Sequence, residues 1–290
     1  MKTKIQGITA LLIATIIWGS AFVEQSVGMD YIGPFTFQAV RCTLAVAVLS
    51  ATVLMRDPSR FVSTFSDRTL WKAGFLCGIA LFAAASLQQV GLVHTDAGKA
   101  GFLTAMYIVL VPVLGIFLGK KPGNTIVFSV ILAVIGLYLL SCTDINGINP
   151  GDLMMLGCAF AFSIQITLVD HYAPELDGIA LNCVQCLVCS ICSVPFMLVT
   201  EAVDFSAVLD CRIPLLYAGA LSMGVAYSLQ IYGQQRLDPT VASLLMGLES
   251  VFAVIFGWLI LHESLTTAEL TGCALVFIAV ILSQLPDTQK

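Results

Sequence analysis

Long runs of apolar residues follow one another along the whole chain, separated by short stretches with charged or turn-forming residues. Each run continues for about 20 residues, the length that a helix needs to cross the hydrocarbon core of a bilayer. Ten runs lie near residues 5 to 23, 33 to 54, 72 to 92, 97 to 118, 124 to 141, 152 to 170, 178 to 200, 213 to 234, 239 to 261 and 267 to 285. The pattern predicts an all-α, polytopic membrane protein with ten transmembrane helices.

The composition agrees with this interpretation. Of the 290 residues, 58% are hydrophobic and 11% are charged, and the mean hydropathy is +0.95. An ordinary soluble domain contains about 25% charged residues. Ten spans with short connections use about 200 to 230 residues, so a separate soluble domain has no room in this chain.

The basic residues indicate the orientation, because Lys and Arg concentrate in cytoplasmic loops. With both termini in the cytoplasm, ten basic residues lie inside: Lys2, Lys4, Arg56, Arg60, Arg68, Lys72, Lys120, Lys121, Arg236 and Lys290. Lys99 and Arg212 then lie outside, and Arg41 lies within a span. The first run resembles a signal peptide, but nine more runs follow, so we expect a retained helix. The expected location is the plasma membrane, with both termini cytoplasmic.

Short matches relate the two halves of the chain. Ser86-Leu87-Gln88 recurs as Ser228-Leu229-Gln230, Asp96 as Asp238, and Gly115 as Gly257, always 142 residues apart. We therefore expect two five-helix repeats, residues 1–143 and 144–290. Because five is odd, the second repeat enters the membrane from the opposite side, and such inverted repeats are typical of carriers.

Several motifs resemble a known family. They are Trp18-Gly19-Ser20 in the first run, Pro34 and Arg41 in the second, Glu249 in the ninth, and Glu263 and Gly272 before and within the tenth. In these the chain resembles, over nearly its whole length, the EamA family of the drug/metabolite transporter superfamily. It departs from the family pattern at Ser250, where Pro is common, and at Lys120-Lys121, where a glutamate is common. The resemblance implies an exporter or permease for small metabolites without naming the solute.

Two charged residues lie deep within predicted spans. Arg41 stands about 12 Å into the second helix, where a cation snorkels to the interface, pairs with another group or faces a water-filled cavity. Glu249 stands close to the midplane, beyond the reach of snorkelling. It must be protonated, paired or exposed to a cavity, and one alternative is a neutral glutamate bonded to a neighbouring helix. If Glu249 binds solute and proton in competition, it couples export to the proton gradient.

Uncharged polar and aromatic residues recur within the spans. They are Gln38, Gln88, Gln89, Gln165, Gln185, Gln230 and Gln234, with Trp18, Phe37, Tyr107, Phe162, Tyr227 and Tyr232. An amide facing lipid is costly, so together they predict an internal polar cavity with aromatic walls, although each one alone also fits helix packing. The candidates for solute binding are Glu249, Arg41, Trp18, Gln88, Tyr107, Gln165, Gln185 and Tyr227.

The run "LNCVQCLVCSICSVP" resembles a metal motif, with Cys183, Cys186, Cys189 and Cys192 spaced by three. On a helix, steps of three turn each thiol by about 300°, so the four cover half the circumference and cannot converge on one metal. We interpret them as packing residues. His94, His171 and His262 are scattered at loop edges. The sequence therefore predicts neither a metal nor a cofactor.

Smaller patterns concern helix ends and helix contacts. Asp96, Asp238 with Pro239, and Thr266 with Glu269 have the spacing of helix caps. Gly74 with Gly78 and Gly115 with Gly119 have the spacing that lets helices approach closely. We interpret both glycine pairs as internal packing, with dimerisation as the alternative.

The sequence therefore favours a secondary transporter that exports amino-acid-like or aromatic solutes by alternating access. No nucleotide-binding or hydrolase motif appears, so neither ATP-driven transport nor a catalytic residue is predicted. One alternative is an uptake carrier or exchanger for a nucleotide-like or vitamin-like metabolite. A membrane enzyme acting on a lipid-linked substrate is another, with Asp170, Glu175 and Asp177 as its only candidates. The expected partners are a small-molecule solute and the lipid bilayer, not nucleic acid, with a monomer favoured over a dimer.

Overall fold

The chain is mostly helical in the part that the structure, a computed structural model, describes: residues 2–95, 97–141, 149–261 and 266–285. Its α-helices are α1 (Lys2–Met29), α2 (Pro34–Arg56), α3 (Phe61–Phe65), α4 (Arg68–Leu92), α5 (Ala97–Ala105), α6 (Tyr107–Phe117), α7 (Asn124–Ser141), α8 (Pro150–Tyr172), α9 (Gly178–Thr200), α10 (Phe205–Asp210), α11 (Arg212–Leu216), α12 (Tyr227–Gln234), α13 (Pro239–Met246), α14 (Leu248–Leu261) and α15 (Thr267–Ser283). A 3-10 turn covers Ala173–Glu175, and a π-helical stretch covers Tyr217–Ala226. The predicted all-α fold is confirmed.

Seven helices of the described part are long and apolar enough to cross a membrane. They cover Lys2–Met29, Pro34–Arg56, Arg68–Leu92, Ala100–Phe117, Pro150–Glu175, Gly178–Thr200 and Pro239–Phe256. The fifth and tenth predicted segments form shorter apolar helices, over Asn124–Leu139 and Thr267–Ser283. The eighth, residues 213–234, is divided among α11, the π-helical stretch and α12. The number of ten spans, like the inverted relation of the halves, stays a prediction.

The distribution of side chains suits a lipid environment. Phe117, Val199 and Phe205 are each more than 80% exposed on the outer surface, whereas Gln165 and Gln185 are fully buried. Hydrocarbon accepts the exposed apolar groups, and the buried amides must find their partners inside the protein. These polar groups are therefore placed between the helices.

Helices of the first half pack mainly against helices of the second. The closest pairs are α2 with α9, α4 with α8 and α9, α7 with α15, and α1 with α14. Each of these pairs joins a helix that ends before residue 143 to one that begins after residue 144. The space between the halves is consequently lined by residues from both.

Close contact between α4 and α9 depends on glycine. A Cβ atom at Gly78 would lie 2.6 Å from Cβ of Val188 and 2.8 Å from the carbonyl oxygen of Gln185, and one at Gly74 would clash with Val184. The internal-packing interpretation is confirmed for this pair of glycines.

The same interpretation is wrong for Gly115 and Gly119. A Cβ atom at Gly115 would meet nothing closer than 3.7 Å, which is an ordinary contact with Lys120. Gly119 has a φ of +83° just beyond α6, with nothing within 4 Å of a Cβ atom. It serves to end the helix in a left-handed conformation that favours glycine.

Several helix ends follow the predicted chemistry. Asp238 accepts a hydrogen bond from the Thr240 N–H, with Pro239 in the first turn. Thr266 and Glu269 form a capping box for α15. These caps are confirmed, while Asp96 lies outside the described residues.

The start of α2 is capped from another helix. Gly33 has no side chain to cap it, and the Glu201 carboxylate, just after α9, accepts from the N–H groups of Phe35 and Thr36 at 2.7 and 2.8 Å. The Thr36 hydroxyl also donates to Glu201, at 2.6 Å. At the opposite end of the α2–α9 pair, Arg56 forms an ion pair with Asp177. Both ends of this contact are therefore fixed by charged groups.

Candidate functional site

A cavity with an empty volume of about 530 Å³ lies between the two halves of the chain. Its walls are formed by Trp18, Phe22, Gln25, Arg41, Gln88, Tyr107, Phe162, Gln165, Ile166, Ser222, Met223, Tyr227, Gln230, Met246 and Glu249. Both predicted intramembrane charges therefore reach the same space.

Arg41 enters the cavity from α2 and is 2% exposed. Its Nε donates to the amide oxygen of Gln38 at 2.8 Å, one terminal nitrogen donates to the same oxygen, and the other donates to Gln25 at 2.5 Å. The guanidinium also lies 5.3 Å from the ring centroid of Phe37. Arg41 thus does not snorkel to the interface.

The partners of Arg41 are all uncharged. Within the described ranges, no carboxylate lies within 4.0 Å of its guanidinium. Neutral amides satisfy the N–H groups of a guanidinium without cancelling its charge, and a buried charge without a counter-ion is costly. The cavity therefore has a positive side that an anionic group of a solute would stabilise.

Two helix interruptions position the residues of the cavity wall that contains Glu249. α5 gives way to α6 at Met106, and α13 gives way to α14 at Gly247. Tyr107 and Glu249 consequently occupy the first turns of α6 and α14, with both side chains on the cavity.

Glu249 is 7% exposed, and its Oε1 accepts a hydrogen bond from the Tyr107 hydroxyl at 2.9 Å. This bond favours a negative charge on Glu249, whereas burial opposes it. Its Oε2 has no hydrogen-bond partner within the described part of the chain, so one oxygen can accept from a solute.

Aromatic rings form the side walls of the cavity. The rings of Trp18 and Tyr227 meet edge to face, with centroids 5.0 Å apart, and those of Tyr107 and Phe162 do so at 6.5 Å. Such walls favour the apolar or aromatic part of a solute and can also attract a cation.

Several polar groups at the walls are available to a solute. The indole N–H of Trp18 is buried without a hydrogen-bond partner in the described protein. Gln88 is 7% exposed and Tyr227 is also 7% exposed, and neither side chain has a hydrogen-bond partner among the described residues. Since buried polar groups are normally bonded, these groups are suited to bind a solute or water.

Seven of the eight candidate residues from the sequence line the cavity: Glu249, Arg41, Trp18, Gln88, Tyr107, Gln165 and Tyr227. Gln185 does not. It lies behind the wall, where its amide oxygen accepts from Gln165 at 3.2 Å and its nitrogen donates to Asn182 at 2.9 Å. Their roles in solute binding remain a proposal.

The structure adds wall residues that were not among the candidates. Gln25 follows the end of the predicted first segment, although α1 continues to Met29. Ser222 and Met223 lie in the π-helical stretch, and Met246 lies at the interruption before α14. Gln25 would have been found if the helix had been extended past Glu24, whereas the others carry no sequence signal.

None of the described cysteines lines the cavity. Cys183, Cys186 and Cys189 pack into a buried apolar cluster. No group of three metal-binding side chains occurs in the part of the chain that the structure describes. The packing interpretation of the cysteine run agrees with this arrangement.

Nearly the whole chain matches the EamA-like transporter family, once over residues 5–142 and again over residues 149–285. The chain belongs to this family. The two matches give the EamA-like protein a two-repeat architecture, in which the cavity lies between the repeats.

Several relatives of this EamA-like chain are named as transporters, and another is named as a WAT1-related protein. An uncharacterized transporter of Archaeoglobus fulgidus is 32% identical, over 95% of this chain and 84% of its own. The uncharacterized transporter YoaV of Bacillus subtilis is 22% identical over 94% of each chain. A WAT1-related chloroplastic protein of Arabidopsis thaliana is 26% identical over 96% of this chain and 69% of its own.

A crystal structure of a protein with 20% identical residues has the same fold. It superposes with a TM-score of 0.75 and covers 93% of this chain and 96% of its own. Together, the family matches and the apolar helices identify a multi-pass membrane protein of a transporter family.

Proposed function

We propose that this EamA-like protein is a secondary transporter that exports small amino-acid-like or aromatic solutes by alternating access. The observation that supports this most strongly is the presence of Arg41 and Glu249 in one cavity. Among the described residues, Arg41 has no anionic partner and Glu249 has one oxygen without a hydrogen bond. A zwitterion complements both groups.

Each part of such a solute has a matching wall. Its carboxylate binds the guanidinium of Arg41, and its ammonium binds Glu249. An aromatic or apolar side chain packs against Trp18 and Tyr227. A bare inorganic ion would leave these rings unused, so the walls favour an organic solute.

The arrangement of the halves supports alternating access. The cavity has walls from both repeats, and the main helix contacts run between repeats. In this proposal, ten spans form two inverted repeats that rock around a midplane site. Both termini lie in the cytoplasm of a plasma-membrane protein, and a gradient or the solute concentration provides the driving force.

The proposal is tested with purified protein in proteoliposomes. A mixture of metabolites that includes L-phenylalanine is placed on one side, and the contents of the vesicles are profiled after a fixed time, in both directions. Empty vesicles and Glu249→Gln are compared with the native protein. Glu175→Gln is the matched control, because Glu175 is exposed and does not line the cavity.

We expect zwitterionic solutes to move with the native protein and Glu175→Gln, but not with empty vesicles. Movement towards the extracytoplasmic side in preference to the opposite direction supports export. Transport of a nucleotide-like or vitamin-like solute in the uptake direction would favour the alternative instead. If no solute moves faster than in empty vesicles, the transporter proposal fails.

A further inference from the structure

The hydrogen-bonding pattern of the eighth segment changes next to the cavity. In the π-helical stretch each N–H bonds five residues back, and the Tyr227 N–H still bonds the carbonyl oxygen of Ser222. In α12 the pairing returns to four residues back. Where the spacing of the main-chain hydrogen bonds changes from five residues to four, one carbonyl is left without a main-chain donor. The Tyr227 N–H bonds Ser222, and a bond four residues back from Ser228 would reach Gly224, so the carbonyl passed over is that of Met223.

Asn182 of α9 supplies the missing donor. Its Nδ2 lies 2.9 Å from the carbonyl oxygen of Met223, 3.0 Å from that of Gly224 and 2.9 Å from the hydroxyl of Ser228, and the residue is fully buried. A buried carbonyl that loses its partner costs about 1–3 kcal/mol. The amide of Asn182 therefore stabilises the change of pairing at this point of the helix.

A chain of amides fixes the orientation of Asn182. Gln230 donates to Gln165 at 3.1 Å, Gln165 to Gln185 at 3.2 Å, and Gln185 to the oxygen of Asn182 at 2.9 Å. Since the oxygen of Asn182 accepts from Gln185, its NH₂ group must face the carbonyls of the π-helical stretch. Gln165 and Gln230 themselves line the cavity, so the chain links one wall to another.

The helix that Asn182 contacts forms that second wall. Ser222 and Met223 lie in the π-helical stretch, Tyr227 follows it, and all three line the cavity. A shift of the pairing by one residue rotates a helical side chain by about 100°. The residue at which the main-chain hydrogen bonding changes therefore determines which side chains face the solute.

We propose that Asn182 is a positioning residue of the solute cavity. By donating to the Met223 carbonyl, it fixes the pairing in which Ser222 and Tyr227 face the solute. The consequence for transport rests on the proposed function, whereas the positioning itself is measured without any solute.

The test replaces Asn182 with leucine, which has a similar size but no donor. In a background with Trp71→Phe and Trp258→Phe, Trp18 is the only tryptophan, and it touches the Tyr227 ring. We expect Asn182→Leu to shift the Trp18 emission and to accelerate hydrogen–deuterium exchange over residues 217–227. For L-phenylalanine, the half-saturation concentration should rise about tenfold, with a smaller change in the maximal rate per folded protein.

Ser193→Ala is the matched control. Ser193 lies on the same helix and is fully buried, but its hydroxyl donates only within α9, to the carbonyl of Cys189 at 2.8 Å. This variant should keep the native emission and the native exchange over residues 217–227. Equal effects of both substitutions would show a general loss of packing and would overturn the proposal.

Gln185→Leu provides a second measurement in case Asn182→Leu does not fold. It removes the bond that orients the Asn182 amide while leaving Asn182 in place, so a smaller change in the same direction is expected. Native emission and exchange in either folded variant overturn the positioning role. If both properties change but the parent protein moves no solute, the transport proposal fails and the positioning role stands.

Discussion

The hydroxyl of Tyr107 donates to Oε1 of Glu249 at 2.9 Å, and the two residues are 142 positions apart. The same interval separates Gln88 from Gln230, both of which also line the cavity. Tyr107 and Glu249 each lie in the first turn after an interrupted helix. Corresponding points of the two repeats thus meet at the cavity, with a hydroxyl in one and a carboxylate in the other.

Glu249 should recognise the amine of the solute. We expect Glu249→Gln to raise the half-saturation concentration about tenfold or more for L-phenylalanine and for phenethylamine, because both lose a charged hydrogen-bond partner. Hydrocinnamate, which has no amine, should bind no more weakly than before. Competition with labelled L-phenylalanine measures all three, and equal losses for the three compounds would contradict the assignment.

A carboxylate that binds either a proton or the solute also makes transport sensitive to pH. With the native protein, the rate of L-phenylalanine transport should depend on pH, and with Glu249→Gln this dependence should be reduced. Tyr107→Phe keeps the carboxylate and should retain the dependence, although at a shifted position. A Glu249→Gln variant with native rates at every pH would exclude coupling through this residue.

Arg41 should recognise the carboxylate of the solute. Arg41→Gln should weaken binding of L-phenylalanine and hydrocinnamate about tenfold to a hundredfold, while phenethylamine is unaffected. Arg41→Lys keeps the charge but not the planar set of donors, so it should restore binding only in part. Arg68→Gln, at an exposed arginine, is the control, and an equal loss of phenethylamine binding would indicate a structural role.

The sequence was sufficient to predict the class of fold and most of the cavity. Arg41 and Glu249 were recognisable because a charge inside an apolar run has few alternatives in a membrane. Apolar runs also located the helices, since each must be about 20 residues long. What the runs did not show was where a helix continues past a charge. Glu24 ended the first predicted segment, but α1 extends to Met29 and brings Gln25 to Arg41.

The amides show a second limit. A buried amide requires hydrogen bonds, but another amide satisfies it as well as a solute does. Gln165 lines the cavity, whereas Gln185, with the same chemistry, lies behind the cavity wall and accepts a hydrogen bond from Gln165. The sequence does not distinguish these two positions. Ser222 and Met223 line the cavity from the π-helical stretch, and no pattern in the residues indicates this hydrogen bonding.

Gly78 should tolerate no side chain. Gly78→Ala places a Cβ atom 2.6 Å from Val188 and 2.8 Å from the carbonyl of Gln185, so α4 and α9 must separate, at a cost of about 1–3 kcal/mol. Gly115→Ala is the control within the same chain, because its nearest neighbour would be 3.7 Å away and alanine favours a helix by about 1 kcal/mol. The midpoint of thermal unfolding in detergent should be lower for Gly78→Ala than for the native protein, and the midpoint for Gly115→Ala should equal or exceed the native one. A reversed order would contradict the packing assigned to these helices.

Glu201 should stabilise the end of the α2–α9 contact by capping α2. Glu201→Ala removes the acceptor for the N–H groups of Phe35 and Thr36, and the loss of such a cap costs about 0.5–2 kcal/mol. Asp204→Ala is the comparison, since Asp204 caps only the six-residue helix α10. We expect the midpoint of thermal unfolding to fall further for Glu201→Ala, with faster hydrogen–deuterium exchange confined to the first turns of α2. Because α2 carries Arg41, the same variant should also weaken L-phenylalanine binding, whereas Asp204→Ala should not. Native exchange at the start of α2 in Glu201→Ala would show that the cap does not hold this helix.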